Sequence, residues 1–211
     1  MRRRLYRTAI ELMAERGYAG TTMREVATRA DVSLGLLYRY FPSKRAVVLE
    51  FYDERSAEHA TRSAEMPAGR WADRFAFALK TSLVVLRPHR EVLSALVPVL
   101  VGNPADGLFS PSTAFSRRRV QATFAAAVIG ATDAPPRELA ESLGRLLYLL
   151  HLAVILWWLL DKSAAQRATD GLLALIARFM PRAALAVRLP MGRTIVRSGD
   201  ALFREALFED R

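Results

Sequence analysis

The side chains best suited to acid–base or metal chemistry in this sequence are its three histidines, His59, His89 and His151. They fall on separate predicted elements, and neither an HExxH pair nor a glycine-rich phosphate loop accompanies them. The chain has no cysteine, which excludes disulfides, thiolate metal sites and thiol nucleophiles. No catalytic triad can be assembled, so we expect neither an enzyme nor a metal or cofactor site.

Positive charge is the dominant chemical feature of the chain. Lys and Arg number 31 against 21 Asp and Glu, which gives a net charge of +10. Between Met1 and Tyr52, ten basic and five acidic residues leave +5, which is half of the excess. A basic segment of this kind predicts a polyanionic partner. An Arg-rich composition alone explains the charge equally well, so charge only suggests nucleic acid.

The elements that must position these residues are helices. Apolar residues recur at helical spacing along almost the whole chain, and no alternating strand pattern is present. The predicted fold class is therefore all-α, with an N-terminal three-helix domain over residues 1–52 and a larger helical domain over 53–211. After these three helices, further helices are expected over Lys44–Ser63, Trp71–Leu86, His89–Val101, Ser112–Ile129, Arg137–Leu160, Ala164–Val187 and part of Pro190–Arg211.

Within the first quarter, cap residues predict a helix-turn-helix. Thr22 and Glu25 have the spacing of a capping box at the start of the second helix. Ser33 is expected to cap a third helix that ends near Tyr40, after a tight turn at Ala30–Val32. The predicted small core comprises Leu12, Tyr18, Val26, Ala30, Val32, Leu37 and Phe41. The residues left to face outward are Leu34, Gly35, Leu36, Tyr38, Arg39 and Tyr40.

Exposed leucines and tyrosines on so short a helix indicate a contact surface. The alternative is that Tyr38 and Tyr40 complete the small core. A third helix of a helix-turn-helix enters the major groove of DNA, so the first interpretation predicts DNA binding.

Residues 5–52 resemble the DNA-binding domain of the TetR family. The discriminating residues, at the family's spacing, are Ala30, Val32-Ser33, Gly35, Leu37-Tyr38, Tyr40-Phe41 and Ser43-Lys44. The resemblance covers about a quarter of the chain and implies a bacterial, cytoplasmic transcriptional regulator. It implies a ligand-released repressor that binds a palindromic operator as a homodimer. The alternative function is a basic protein that binds nucleic acid or a membrane surface without sequence preference.

The resemblance also implies roles for individual residues. The implied phosphate-binding residues are Thr22, Tyr38, Tyr40 and Lys44, and the implied base-reading residues are Arg24 and Arg39. The implied DNA-facing set also includes Ser33, Leu34, Gly35 and Leu36, of which the two leucines would contact thymine methyl groups. Residues 2–4, all arginine, would form either a basic arm or a disordered solubilising tail. Asp31 stands where the family usually has glycine, and Asp tolerates positive φ.

The remaining chain is expected to dimerise and to bind an effector. The resemblance implies that the dimer forms through the helices over Arg137–Leu160 and Ala164–Val187. Near the end of the first helix, apolar surface is added by Trp157, Trp158 and Leu160. The alternative is that the helix over Arg137–Leu160 is only a central core helix. The candidate effector-binding residues are Trp71, Phe75, Leu79, Leu96, Phe115, Phe124, Tyr148 and His151. Aromatic residues at helical spacing are more often plain core than ligand-binding residues. His151 is the best candidate for a hydrogen bond to a ligand, although a hydrogen-bonded core histidine is the more common case. Few polar groups are available among the candidate residues, which predicts a small hydrophobic ligand.

No association with a membrane is expected. The three N-terminal arginines are not followed by an apolar run long enough for a secretory signal. The apolar stretch Leu146–Leu160 is shorter than the roughly 18–20 residues that span a bilayer. It is predicted instead to be a helix buried on nearly all sides.

Overall fold

The structure is a computed structural model that describes residues 1–102 and 107–207. Every regular element in those residues is helical, which confirms the all-α prediction. The ten described α-helices are α1 Arg2–Gly20, α2 Met23–Arg29, α3 Leu34–Tyr40, α4 Lys44–Ser63, α5 Trp71–Leu86, α6 Arg90–Gly102, α7 Ala114–Ile129, α8 Arg137–Leu160, α9 Arg167–Arg188 and α10 Pro190–Leu207.

Helix boundaries agree with the sequence where proline or a cap residue marks them. Helices α4, α5 and α8 begin and end at the predicted residues, and the predicted tail helix is α10. Helix α6 continues for one turn past Pro98 and ends at Gly102. Parts of the predicted loop after Gly102 and of the predicted tail, residues 103–106 and 208–211, lie outside the described residues.

The chain forms two compact units. The first contains Met1–Ser56 and the described residues of Leu86–Arg117, and in it α6 packs against α1. The second contains Ala57–Val85 and the described residues from Arg118 onward. These units divide the chain differently from the functional division proposed after Tyr52, because α4 is continuous across that residue and α6 belongs with the N-terminal helices.

Helix α8 forms the centre of the second unit, where it packs against α9 and α10. It is the one described helix long and apolar enough to cross a membrane, and 44% of its most apolar window is buried. The prediction that it is buried on nearly all sides is wrong for the single chain, because Leu156, Trp157 and Leu160 remain exposed. Trp158 instead is buried and its indole Nε1 donates to Gln166 Oε1 over 3.1 Å.

A buried ion pair attaches α10 to α8. The Arg145 guanidinium donates from two nitrogens to the two carboxylate oxygens of Asp200, each over 2.6 Å. The side chain of Asp200 is only 6% exposed. Bidentate pairing fixes the orientation of both groups, so it also fixes the register of α10 along α8.

Candidate nucleic-acid interface

The second helix of the N-terminal unit begins with the predicted capping box. Thr22 Oγ1 accepts from the backbone N–H of Glu25 over 3.2 Å, and Glu25 Oε2 accepts from the backbone N–H of Thr22 over 2.9 Å. The hydrogen bonds from the Thr22 side chain and backbone, together with nearby Arg16, hold the pKa of the Glu25 carboxyl below its ordinary value. The exposed Thr22 thus has a structural role in addition to the phosphate contact predicted for it.

The turn between α2 and α3 depends on a residue in the left-handed region. Asp31 has a φ of 50°, and its backbone N–H donates to the Thr28 carbonyl over 3.1 Å. Asp adopts this conformation at lower cost than most side chains, which confirms that it can replace the glycine usual in the family. Ser33 then caps α3 as predicted, since its Oγ accepts from the Leu36 N–H over 3.2 Å.

Helix α3 is anchored by one side chain and presents the others to solvent. Leu37 is fully buried, and Phe41 after the helix is 1% exposed. Tyr38 is 46% exposed and Tyr40 36% exposed, so neither tyrosine completes the core. Arg39 between them is also exposed. Two aromatic rings and a guanidinium are therefore accessible on a helix that is anchored by buried Leu37 and Phe41.

The start of α3 departs in part from the predicted outward face. Gly35 is exposed, but Leu34 and Leu36 are half-buried. Leu34 lies one turn before Leu37 and so on the core-facing side, which is why it is only partly accessible. A Cβ atom placed on Gly35 would meet no described atom within 4 Å. Packing within the chain therefore does not require glycine at this exposed helical position, whereas close approach to another molecule would.

The two candidate base-reading arginines are not neutralised by ion pairs among the described residues. Ion pairs of this region include Arg2–Glu50, Arg7–Glu11, Arg16–Glu25 and Arg29–Glu15. Among the described residues, neither Arg24 nor Arg39 makes an ion pair, and both are exposed. An unneutralised guanidinium can form the bidentate bond to guanine that a paired one cannot.

The N-terminal arginines belong to a helix and form neither an extended arm nor a disordered tail. Residues 2–4 make up the first turn of α1. The Arg2 guanidinium pairs with Glu50 and lies over the Phe41 ring, 4.7 Å from its centroid. Of the three arginines, Arg2 therefore helps to hold α1 against the rest of the N-terminal unit.

Lys44 is directed into the protein rather than toward a free surface. Its ammonium Nζ donates to the carbonyl oxygens of Tyr18 and Thr21, the latter over 2.8 Å, and lies 4.2 Å from the Tyr18 ring centroid. Burial lowers the pKa of this amine, although the charge of Glu25 opposes that shift. The contacts hold the chain after Gly17, whose φ of 75° breaks the regular helix. The phosphate contact implied for Lys44 remains a prediction.

Replacement of Lys44 by methionine should therefore destabilise the protein before any DNA is added. Methionine keeps an apolar stem but loses both hydrogen bonds, so we expect a loss of about 1–3 kcal/mol in the free energy of unfolding. Urea unfolding followed by circular dichroism measures this change in the free energy of unfolding. Arg24→Met, which removes an exposed cation with no described partner, serves as the control and should change stability by less than about 0.5 kcal/mol. Equal effects of the two substitutions would contradict this role of Lys44.

The candidate effector-binding residues are divided between the two units. Leu96, fully buried on α6, and Phe115, 67% exposed, belong to the first unit. The six in the second unit are all buried, namely Trp71, Phe75, Leu79, Phe124, Tyr148 and His151. Their rings form a chain of contacts from Phe75 through Phe124 to His151, with centroids 5.8 and 4.8 Å apart, and Tyr148 lies 6.1 Å from His151.

Sequence reasoning missed one member of this cluster, His59. Its ring stacks on His151 with centroids 6.1 Å apart and planes 5° from parallel. The two residues are 92 positions apart and on different helices. No local pattern could have paired them, because only the packing of α4 and α8 decides which buried side chains meet.

Comparison with known proteins agrees with the geometry of the N-terminal unit. Residues 5–51 match the family described as "Bacterial regulatory proteins, tetR family". The chain is 27% identical over 171 residues to the HTH-type transcriptional repressor KstR of Rhodococcus jostii, a match that covers 81% of this chain and 78% of that protein. It is 49% identical over 43 residues to KstR of Mycolicibacterium smegmatis, covering 20% of this chain and 21% of that protein.

The fold is likewise that of a solved regulator. A tetR-family transcriptional regulator from Streptomyces coelicolor superposes with a TM-score of 0.62 at 21% identity, covering 100% of this chain and 97% of that one. The helix-turn-helix with its capped, outward-facing third helix and the matches above lead to one conclusion. Residues 5–51 carry a helix-turn-helix like that of the tetR-family bacterial regulatory proteins, and the chain has the fold of a tetR-family regulator.

Proposed function

We propose that this protein represses transcription as a homodimer bound to a palindromic operator. Binding of a small apolar effector would release the dimer from the operator. The observation that carries the proposal is the free face of α3, where Tyr38, Arg39 and Tyr40 are exposed while Leu37 is buried beneath them. Such a face suits insertion into the major groove, with Arg39 reading a base and the tyrosine hydroxyls binding phosphates.

We propose that a second copy of the chain packs against an apolar surface on α8 and α9, called here the α8–α9 face. Its exposed residues are Leu156 and Leu160 on α8 and Leu175 and Phe179 on α9, each between 37% and 61% exposed. On each helix the two residues are four positions apart, so they share one side of it. One short recognition helix contacts few bases, and two helices related by a two-fold axis roughly 34 Å apart would read an inverted repeat.

The effector is proposed to bind in the second unit, and to act by shifting a population of conformations. It would release the operator only if it binds more tightly to a conformation whose recognition helices no longer match the groove repeat. The buried aromatic cluster around Phe124 supports an apolar ligand.

Selection from random duplexes is the experiment that tests the proposed function. Recovery of an inverted repeat bound about 10³-fold or more tightly than unrelated DNA is the expected result. Binding without sequence preference, with a steep salt dependence and no repeat, would instead favour the nonspecific alternative. We also propose that the protein works in the cytoplasm and is not an enzyme, since the relatives named above are transcriptional regulators.

Replacing Arg39 by alanine should relax the preference at a single base pair of each half-site. Loss of a bidentate bond to guanine is expected to cost about 1–3 kcal/mol at that base pair and little elsewhere. The measurement is fluorescence anisotropy over operator variants changed one position at a time. Tyr40→Phe is the control, because loss of a hydroxyl bound to phosphate should weaken all variants alike. A uniform loss for Arg39→Ala as well would show that this arginine reads no base.

A further inference from the structure

We propose that His59 and His151 form the polar end of the effector site in the second unit, and that this site takes an uncharged, largely apolar molecule carrying a hydroxyl group. The inference deepens the proposed ligand-released function and rests on it. It assigns a recognition role to His59 and a chemical class to the ligand.

The two imidazoles lie deep in an aromatic environment. His59 is 3% exposed and His151 is 5% exposed. Their parallel rings both contact Phe124, whose centroid lies 5.8 Å from His59 and 4.8 Å from His151. Tyr148 flanks His151. The two histidines are therefore polar side chains in otherwise apolar surroundings.

Each histidine uses one ring nitrogen to hold its place. His59 Nε2 lies 3.0 Å from the carbonyl oxygen of Ala78, which can only accept, so this nitrogen carries the proton. His59 Nδ1 is then a bare acceptor. His151 Nε2 lies 2.7 Å from Ser82 Oγ, where either atom can donate. The anchored nitrogens orient both rings, as a binding site requires.

The other ring nitrogens of the two histidines, and one hydroxyl on the same face of α4 as His59, lack hydrogen-bond partners among the described residues. Among the described residues, His59 Nδ1 and His151 Nδ1 are buried with no hydrogen-bond partner, and so is Ser63 Oγ. Ser63 follows His59 by four residues on α4, so the two side chains share one face of the helix. Three buried polar atoms without partners are costly to keep in a core, which is the pattern expected of a site that bonds to another molecule.

The hydrogen-bonding pattern selects the ligand class. His59 Nδ1 needs a donor, which a ketone or carboxylate does not offer, whereas a hydroxyl both donates and accepts. Burial lowers the pKa of both rings, and it lowers that of His151 to about 3. Both rings are therefore neutral near pH 7 and supply no charge to bind an anion. A cation would lose its hydration among the aromatic rings.

A matched pair of probes, naphthalene and 2-naphthol, tests the inference on the purified full chain. They share one apolar body and differ by one hydroxyl. Calorimetric titration is expected to show 2-naphthol binding about tenfold more tightly, the effect of one net hydrogen bond. Nitrogen NMR of ¹⁵N-histidine-labelled wild-type protein should show the Nδ1 signal of His59 shifting with 2-naphthol and not with naphthalene. Equal affinities, or no binding of either probe, would overturn the inference.

His59→Gln separates recognition from folding. The glutamine amide nitrogen can still donate to the Ala78 carbonyl, but the acceptor oxygen of the amide lies one bond farther from Cβ than Nδ1 does and so is displaced from its position. The tenfold preference should therefore be lost while naphthalene still binds. Thr123→Val is the matched control, because that buried hydroxyl bonds within its own helix, to the Arg119 carbonyl over 3.3 Å. It should keep the preference. If His59→Gln keeps it too, the inference is wrong; if that variant fails to fold, the NMR result on wild-type protein decides.

The test is independent of the proposed repression. It uses free protein and no DNA, whereas selection from random duplexes tests operator binding alone. Recovery of an inverted repeat together with equal probe affinities would refute only the ligand assignment. A hydroxyl preference without any recovered repeat would refute only the proposed operator binding.

Discussion

Replacing Leu175 and Phe179 together by glutamate is expected to produce a monomer that no longer binds the operator specifically. The two side chains are 52% and 50% exposed and lie on one side of α9 in the α8–α9 face. A two-fold interface contains every residue twice, so the double substitution would bring four carboxylates into a surface that buries apolar groups in the proposed dimer. The free energy needed to bury these unpaired charges should far exceed the binding free energy that the interface supplies.

The loss of operator affinity should be at least about 10³-fold, because a monomer retains only one recognition helix and nonspecific phosphate contacts. Light scattering measures the mass in solution, and fluorescence anisotropy measures binding to the selected operator. Val84→Glu on α5 is the control, since Val84 is 52% exposed but lies outside the α8–α9 face. A double variant that remains a dimer would show that the chain pairs through another surface.

Replacing Asp200 by alanine should cost far more stability than removing an exposed ion pair between α8 and α10. It removes the carboxylate that neutralises the half-buried guanidinium of Arg145. Breaking a buried pair from one side costs about 3 kcal/mol, the lower end of the usual range, since the Arg145 side chain keeps 30% exposure. Urea unfolding measures the loss.

Glu138→Ala is the matched control for the same two helices. Glu138 pairs with Arg197 over 3.6 Å, but the side chains are 82% and 59% exposed. Exposed pairs contribute little, so its removal should change stability by less than about 1 kcal/mol. Similar losses for both variants would mean that the Asp200 pair is no more important than a surface pair.

The same carboxylate predicts how stability depends on pH. Burial raises the pKa of Asp200, but the hydrogen bonds from Arg145 and Ser142 and the Arg145 charge outweigh it, so the folded pKa is below the ordinary value. Stability from this group is then fully present above the ordinary Asp pKa of about 4 and is lost as pH falls through the folded pKa. The difference in unfolding free energy between wild type and Asp200→Ala should therefore shrink as the solution is acidified below about pH 4.

The sequence by itself determined the helical elements of this protein and the exposed face of α3. Caps such as Thr22 with Glu25, and the turn at Asp31, form between residues three or four positions apart, so their geometry follows from local chemistry. The exposure of Tyr38 and Arg39 follows from the single buried anchor at Leu37 and the helical repeat.

Only the tertiary structure decided where the long-range polar groups point. Lys44 turns inward to carbonyl groups more than 20 residues away, and Asp200 reaches Arg145 across 55 positions. His59 stacks on His151 although nothing near either residue marks the pair. Local spacing fixes the face of a helix on which a side chain lies, but its partner depends on which faces meet when helices pack. That choice minimises the free energy of the whole core and leaves no local pattern.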